Sequence, residues 1–198
     1  MKLHDFINKY DKPGVVVLLE GKRTVKVEDV EKIEQFGKLM ANKTQYILFR
    51  SGNASGSDYY FSKGVCSVNR KRLQAITPYN GHRKTENYAY DTISLDEVNV
   101  LAEPKLIYQS KKHEATKFII DKYVSGERDY VSMKAAYIIR DTLKVTGVKG
   151  KISPAIFAFF YLDLANPDGG GTGHTKRVCQ MNGVPFLSQK VWMEWLNA

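Results

Sequence analysis

Short unbroken apolar runs alternate along the chain with longer stretches in which apolar residues recur at helical spacing. Residues 15–19 read VVVLL between Pro13-Gly14 and Gly21, which predicts a strand buried on both faces. Val30, Ile33, Phe36, Gly37 and Met40 share one helical face and predict an amphipathic helix over 27–41. YILFR at 46–50 predicts a second strand, followed by a turn-rich loop over 51–56 and a helix over 57–68 with Ser57 as N-cap. A third strand over 73–77 is stopped by Pro78. Residues 79–103 are polar, irregular and rich in tyrosine, the pattern of a surface excursion or lid. Helices are expected over 113–124 and 132–146, separated by the turn residues 125–129. AIFAFFYL at 155–162 is the strongest strand signal. A glycine-rich loop over 166–173, a helix over 174–181, a strand over 184–187 and a terminal amphipathic helix with Trp192 and Trp195 complete the chain.

Buried strands alternating with helices predict an α/β three-layer sandwich around a mostly parallel sheet, with right-handed crossovers. At 198 residues, with neither internal repeat nor linker, residues 1–198 read as a single domain. The content of 43% hydrophobic and 26% charged residues excludes extensive disorder. No apolar stretch approaches the ~20 residues that cross a bilayer, and residues 3–12 lack the apolar core of a signal peptide. Cys66 and Cys179 stand far apart, so neither a disulfide framework nor a metal site is expected. The expectation is a cytoplasmic protein with no membrane contact, metal or cofactor. The 30 Lys and Arg outnumber 21 Asp and Glu, and the resulting charge of +9 points to an anionic partner. The basic residues fall in short groups, Arg70-Lys71-Arg72, Lys111-Lys112, and Lys149 with Lys151.

In open α/β sheets, ligands bind beyond the carboxyl ends of the strands. Two loops expected there are glycine-rich and open helices: RSGNASGSD at 50–58 and DGGGTGHT at 168–175. Glycine lets backbone N–H groups approach a phosphate, and a helix N-terminus adds unpaired donors and partial positive charge. The candidate cradle comprises Ser51, Gly52 and Ser57, with Gly169, Gly170, Gly171, Thr172, Gly173 and Thr175. His174 stands where a GxGxxG fingerprint needs glycine, and Ser57-Asp58 where a Walker A loop needs Lys-Ser/Thr. Those departures argue against a dinucleotide dehydrogenase and a P-loop NTPase. Arg140 shares the stripe of Ala136, Tyr137 and Leu143. A guanidinium facing inward must be paired, so it is either a phosphate clamp or a structural ion pair with Asp141 or Asp163. Arg50, ending a buried strand, has the same two readings. Asp58 either stabilises its helix dipole or accepts ligand hydroxyls. His174 is a candidate phosphate donor or acid/base. Cys66, Cys179, Trp192 and Trp195 read as core residues, and the tyrosines Tyr59, Tyr60, Tyr79, Tyr88 and Tyr90 as candidates for stacking on a base.

Residues 17–23 (VLLEGKR) resemble the opening strand and Gly-x-Arg turn of SLOG-type Rossmann proteins, the superfamily of the LOG phosphoribohydrolases and DNA-processing protein A. RSGNASGSD at 50–58, with Phe61 and Gly64, is similar to their "RSGgA-GaD-xxF-xxG" segment. Ile76-Thr77-Pro78-Tyr79 resembles the following strand and proline. GGTGHT at 170–175, with Arg177 and Gly183-Val184-Pro185, resembles "GGTghTxR…giPv". The resemblance implies a Rossmann-like sandwich and adds Gly21, Arg23 and Pro78 to the candidate ligand-binding residues. It implies a nucleotide-derived ligand, ADP-ribose-like or cyclic, sensed or sequestered by a homo-oligomer. Cleavage of a nucleotide N-glycosidic bond is the first alternative. The LOG motif GGxGTxxE carries a catalytic glutamate, and Arg177 occupies that position here, so the catalytic residue is unassigned. Binding of single-stranded nucleic acid, as in DNA-processing protein A, is the second alternative.

Overall fold

The computed structural model describes residues 1–127 and 129–197. Arg128, inside the turn expected over 125–129, and Ala198 lie outside the described residues. β1 (Val16–Gly21), β2 (Leu48–Ser51), β3 (Leu73–Thr77), β4 (Asp91–Ser94), β5 (Phe157–Tyr161) and β6 (Phe186–Ser188) form one sheet. Its order is β4-β3-β2-β1-β5-β6, and every neighbouring pair is parallel. The sheet is therefore parallel throughout these strands.

The helices are α1 (Leu3–Tyr10), α2 (Val27–Lys43), α3 (Ser57–Asn69), α4 (Pro104–Lys111), α5 (Glu114–Val124), α6 (Tyr130–Thr146), α7 (Gly170–Met181) and α8 (Gln189–Trp192). Successive residues of a strand point to opposite faces, and the two cores follow that alternation. Val17, Leu19, Phe49, Phe157 and Phe159 pack with Phe6 of α1, Phe36 of α2, Phe61 of α3 and Trp192 and Trp195 on one face. On the other face, Ile76 packs under α4, α5 and α6, with Leu106, Ile120 and Ile139. Leu18, Ala158 and Phe160 complete that face with Val178 and Cys179 of α7. The three layers expected from the strand–helix alternation are present. Among the described residues, no helix is long and apolar enough to cross a membrane.

Several elements differ from the sequence expectation. The segment 79–103 contributes β4, whose only large apolar residue is Ile93 and whose first two residues are exposed; an edge strand needs no apolar run. α1 carries Leu3, Phe6, Ile7 and Tyr10 on one face, a spacing masked by the charged residues between them. The N-cap of α3 is Gly56, not Ser57, because Gly56 adopts φ +79° and its successor is already helical. α7 begins at Gly170 rather than His174, so the glycines form its first turn. The terminal helix is one turn, α8, continued as a 3-10 turn over Met193–Asn197.

Candidate functional site

The chain runs outward from β1 to β4, then returns to the opposite side of β1 as β5. The loops after β1 and β5 consequently diverge, and in open parallel sheets the crevice between such loops is where ligands bind. A cleft of about 520 Å³ opens there. It is lined by Glu20, Gly21, Lys22 and Arg23 after β1, Ala54 after β2, Arg140 and Asp141 from α6, and Asp163, Asn166 and Gly169–Thr172 after β5. Its volume lies within the ~300–1,000 Å³ typical of small-molecule sites.

The two glycine-rich loops reach this cleft with different chemistry. In the second loop, Gly169 caps α7 without any side-chain bond to the first-turn amides. Gly170, Gly171 and Thr172 line the cleft, and the first amides of a helix have no partner within it. Gly173 N–H already donates to the Gly169 carbonyl (3.0 Å). In the first loop, the amides are taken by Asp58. Its carboxylate accepts the N–H of Gly21 (3.2 Å), Gly52 (3.0 Å) and Ala54 (3.4 Å). The first loop is thus tied down by Asp58 and serves as a wall, while the second brings the first turn of α7 to the cleft.

Lys22 pairs with Asp163 at 3.0 Å, whereas Arg23, exposed and cleft-lining, has no carboxylate partner among the described residues. Arg140 donates from Nη1 to the Gly52 carbonyl (3.0 Å) and lies 3.3 Å from Asp141. Its Nε has no hydrogen-bond partner among the described residues. Of the pairings considered for Arg140, the structure forms the one with Asp141; Asp163 is engaged by Lys22. Gly52 is required by this contact, since a Cβ there would overlap the Arg140 guanidinium.

Beneath the cleft lie the carboxyls of Glu20, Asp58 and Asp141 and the cations Arg140 and Lys144, all buried. Lys144 Nζ contacts both Glu20 and Asp141. Three carboxyls face two cations in this cluster. Burial, then Asp58, push Glu20 up to about 8 against the pull of Lys144. Burial also raises Asp58, whereas Arg140 and Lys144 overcome burial at Asp141 and hold it below the usual range.

The structure brings Gly21, Arg23, Arg140, Gly169, Gly170, Gly171 and Thr172 to the cleft. Asp58, Gly52 and Ser57 form the layer behind it, Ser57 Oγ donating to the Lys22 carbonyl (2.8 Å). Ser51 Oγ accepts the Asn53 N–H within its own turn (3.2 Å). Thr175 Oγ1 donates to the Gly171 carbonyl (3.1 Å), bracing the α7 first turn. Gly173, buried in that turn, and Pro78, buried after β3, do not line the cleft. Arg50 is also elsewhere: its guanidinium is consumed by Gln74 Oε1 (2.7 Å) and the carbonyls of Lys144 (2.9 Å) and Ser153 (2.8 Å). These are hydrogen bonds to neutral groups rather than the ion pair considered for it, and Arg50 does not line the cleft. His174 sits behind the first turn of α7 with Nε2 2.9 Å from Thr142 Oγ1, and burial pushes it down to about 4. Arg177 donates from Nη1 to the Asp168 carbonyl (2.8 Å). Sequence reading missed Glu20, Lys22, Lys144 and Asn166; the one visible signal was Glu20, a carboxylate ending an apolar run.

No family model and no curated protein matches the sequence. A solved structure of DNA processing protein A from Helicobacter pylori, described for its single-stranded DNA binding mode, covers 91% of this chain and 67% of its own, with a TM-score of 0.54 and 15% identity. At that identity the likeness concerns the fold. The chain carries the Rossmann-like α/β fold of DNA processing protein A, a SLOG-family protein.

Proposed function

We propose that the protein binds a nucleotide or nucleotide-derived phosphoester, ADP-ribose-like or cyclic, as a free small molecule in the cleft between the β1 and β5 loops. The observation that carries this reading is the first turn of α7. Gly170, Gly171 and Thr172 line the same space as Arg23 and Arg140, Gly169 supplies no side-chain cap to their amides, and first-turn amides with a helix dipole favour an anion. Glu20, Asp141 and Asp163, which also line the cleft, suit the hydroxyls of a ribose. The test is calorimetry against ribonucleotides, ADP-ribose and cyclic nucleotides. Saturable binding weakened about tenfold in Arg23→Ala is expected, the typical effect of one charge-assisted contact. Failure of every phosphorylated ligand to bind the folded protein overturns the reading.

A second reading, binding of single-stranded nucleic acid, is favoured by the fold shared with DNA processing protein A and by the charge of +9. The N-glycosidic cleavage alternative draws less support, because Arg177 holds a loop carbonyl at the position of the LOG glutamate and His174 is buried against Thr142. Self-association belongs to the same proposal: Phe118, Tyr130 and Met133 on α5 and α6 are exposed and would be covered in a homo-oligomer. Light scattering tests it, and a monomeric mass at high concentration removes it.

A further inference from the structure

Beside the cleft, a group of aromatic rings has no role in either core. The Tyr79 and His82 rings lie 5.0 Å apart, His82 and Tyr137 5.7 Å, and Tyr79 and Tyr137 6.3 Å, all edge to face. Both cleft arginines reach this group: Arg23 Cζ is 5.8 Å and Arg140 Cζ 5.9 Å from the Tyr137 centroid. Tyr79 is 38% exposed and Tyr137 is half-buried. The polar atoms here are unfinished. Both ring nitrogens of His82, which is 8% exposed, and Nε of Arg83 and of Arg140 have no hydrogen-bond partner among the described residues. Buried polar nitrogens are ordinarily paired, so their concentration at one place is unusual.

We propose that Tyr79, His82 and Tyr137 form a base subsite that holds the aromatic base of a nucleotide whose phosphate occupies the first turn of α7. This rests on the reading of the cleft as a phosphate site. Tyrosine rings and guanidinium planes are the side chains on which nucleobases stack, by dispersion and cation–π attraction. Arg23 and Arg140 belong to both the cleft and the aromatic group, so a single ligand spans the two. His82 stays neutral, pushed down to about 4 by burial and then by Arg140, Arg83 and Arg23. A neutral imidazole offers one donor and one acceptor, which matches the mixed donor and acceptor edge of a base. A phosphosugar lacking the base has no group for these rings or for the imidazole.

The test compares ribose 5-phosphate with AMP, GMP, CMP and UMP by calorimetry. The proteins are the wild type, Tyr79→Leu/Tyr137→Leu and Tyr79→Phe/Tyr137→Phe, each checked for cooperative thermal unfolding. In the wild type at least one nucleotide is expected to bind about tenfold or more tighter than ribose 5-phosphate, as one stacked base supplies. The leucine pair should abolish that preference and leave ribose 5-phosphate affinity unchanged; the phenylalanine pair should keep it. Equal affinity of all ligands for the wild type overturns the base subsite and leaves the phosphate site standing. So does a preference that survives the leucine pair, or a loss that falls equally on ribose 5-phosphate. Absence of binding by all five of these ligands overturns the subsite, and overturns the phosphate site as well where ADP-ribose and the cyclic nucleotides also fail to bind.

Discussion

Asp58 joins the loops after β1 and β2 by accepting three backbone N–H groups, from Gly21, Gly52 and Ala54. Removing the carboxyl leaves those donors buried without partners and Arg140 and Lys144 with less negative charge nearby. Asp58→Ala is therefore expected to lower stability by about 3 kcal/mol, measured by urea unfolding. Glu20 gives a pH signature. Its pKa is about 8 when folded against an ordinary value of 4.5, so the folded state holds a proton that unfolding releases between those values. Its contribution is present below pH 4.5 and is lost as pH rises through 8. Glu20→Gln removes this titration, so its melting temperature relative to wild type should rise from pH 5 to pH 8. A constant difference across that range contradicts the assignment. At this scale the sequence was only partly readable. Asp58 was visible as a carboxylate opening a helix, but its partners were not. The Glu20–Lys144 contact joins residues 124 positions apart, beyond the reach of any local spacing.

The first turn of α7 shows where element-level reading fails. Three consecutive glycines have poor helix propensity, which placed the helix start at His174, yet α7 begins at Gly170. Gly170 has φ +59°, a conformation that costs a residue with a Cβ about 1–2 kcal/mol. Gly170→Val should reduce stability by that order and displace the first-turn amides. Calorimetry should then show nucleotide affinity falling at least as much as in Arg23→Ala. Unchanged affinity would remove the α7 amides from the site. The interior strands were legible because a strand covered on both faces must be apolar along its length. β4 was not, because an edge strand with exposed Asp91 and Thr92 carries no such demand.

At the scale of the molecule, the charge of +9 and the half-open cleft make different demands on an anionic partner. A free nucleotide contacts the protein through one phosphate group or a few, so its affinity should change little with salt. A single strand crossing the surface releases a counterion for each phosphate contacted, with a log–log slope of about −0.7 per phosphate. Fluorescence anisotropy of a labelled oligonucleotide at two salt concentrations, beside nucleotide calorimetry, decides between them. A steep salt dependence with no nucleotide binding would favour the strand. The layered architecture was readable from the strand–helix alternation, and the position of the crevice was not, because strand order is set by crossovers rather than by local pattern.

The central pairing of β1 with β5 sets Gly21 beside Tyr161. A chain emerging from the ribosome therefore carries one bank of the crevice long before the other. Until the residues through Thr172 have been made, the guest has nowhere to lodge, and nascent fragments ending at α6 should be unable to compete for it. Occupancy would thus report only on chains extended beyond Thr172. Such distant partners also form slowly, so the capacity to bind should be among the last properties gained on refolding.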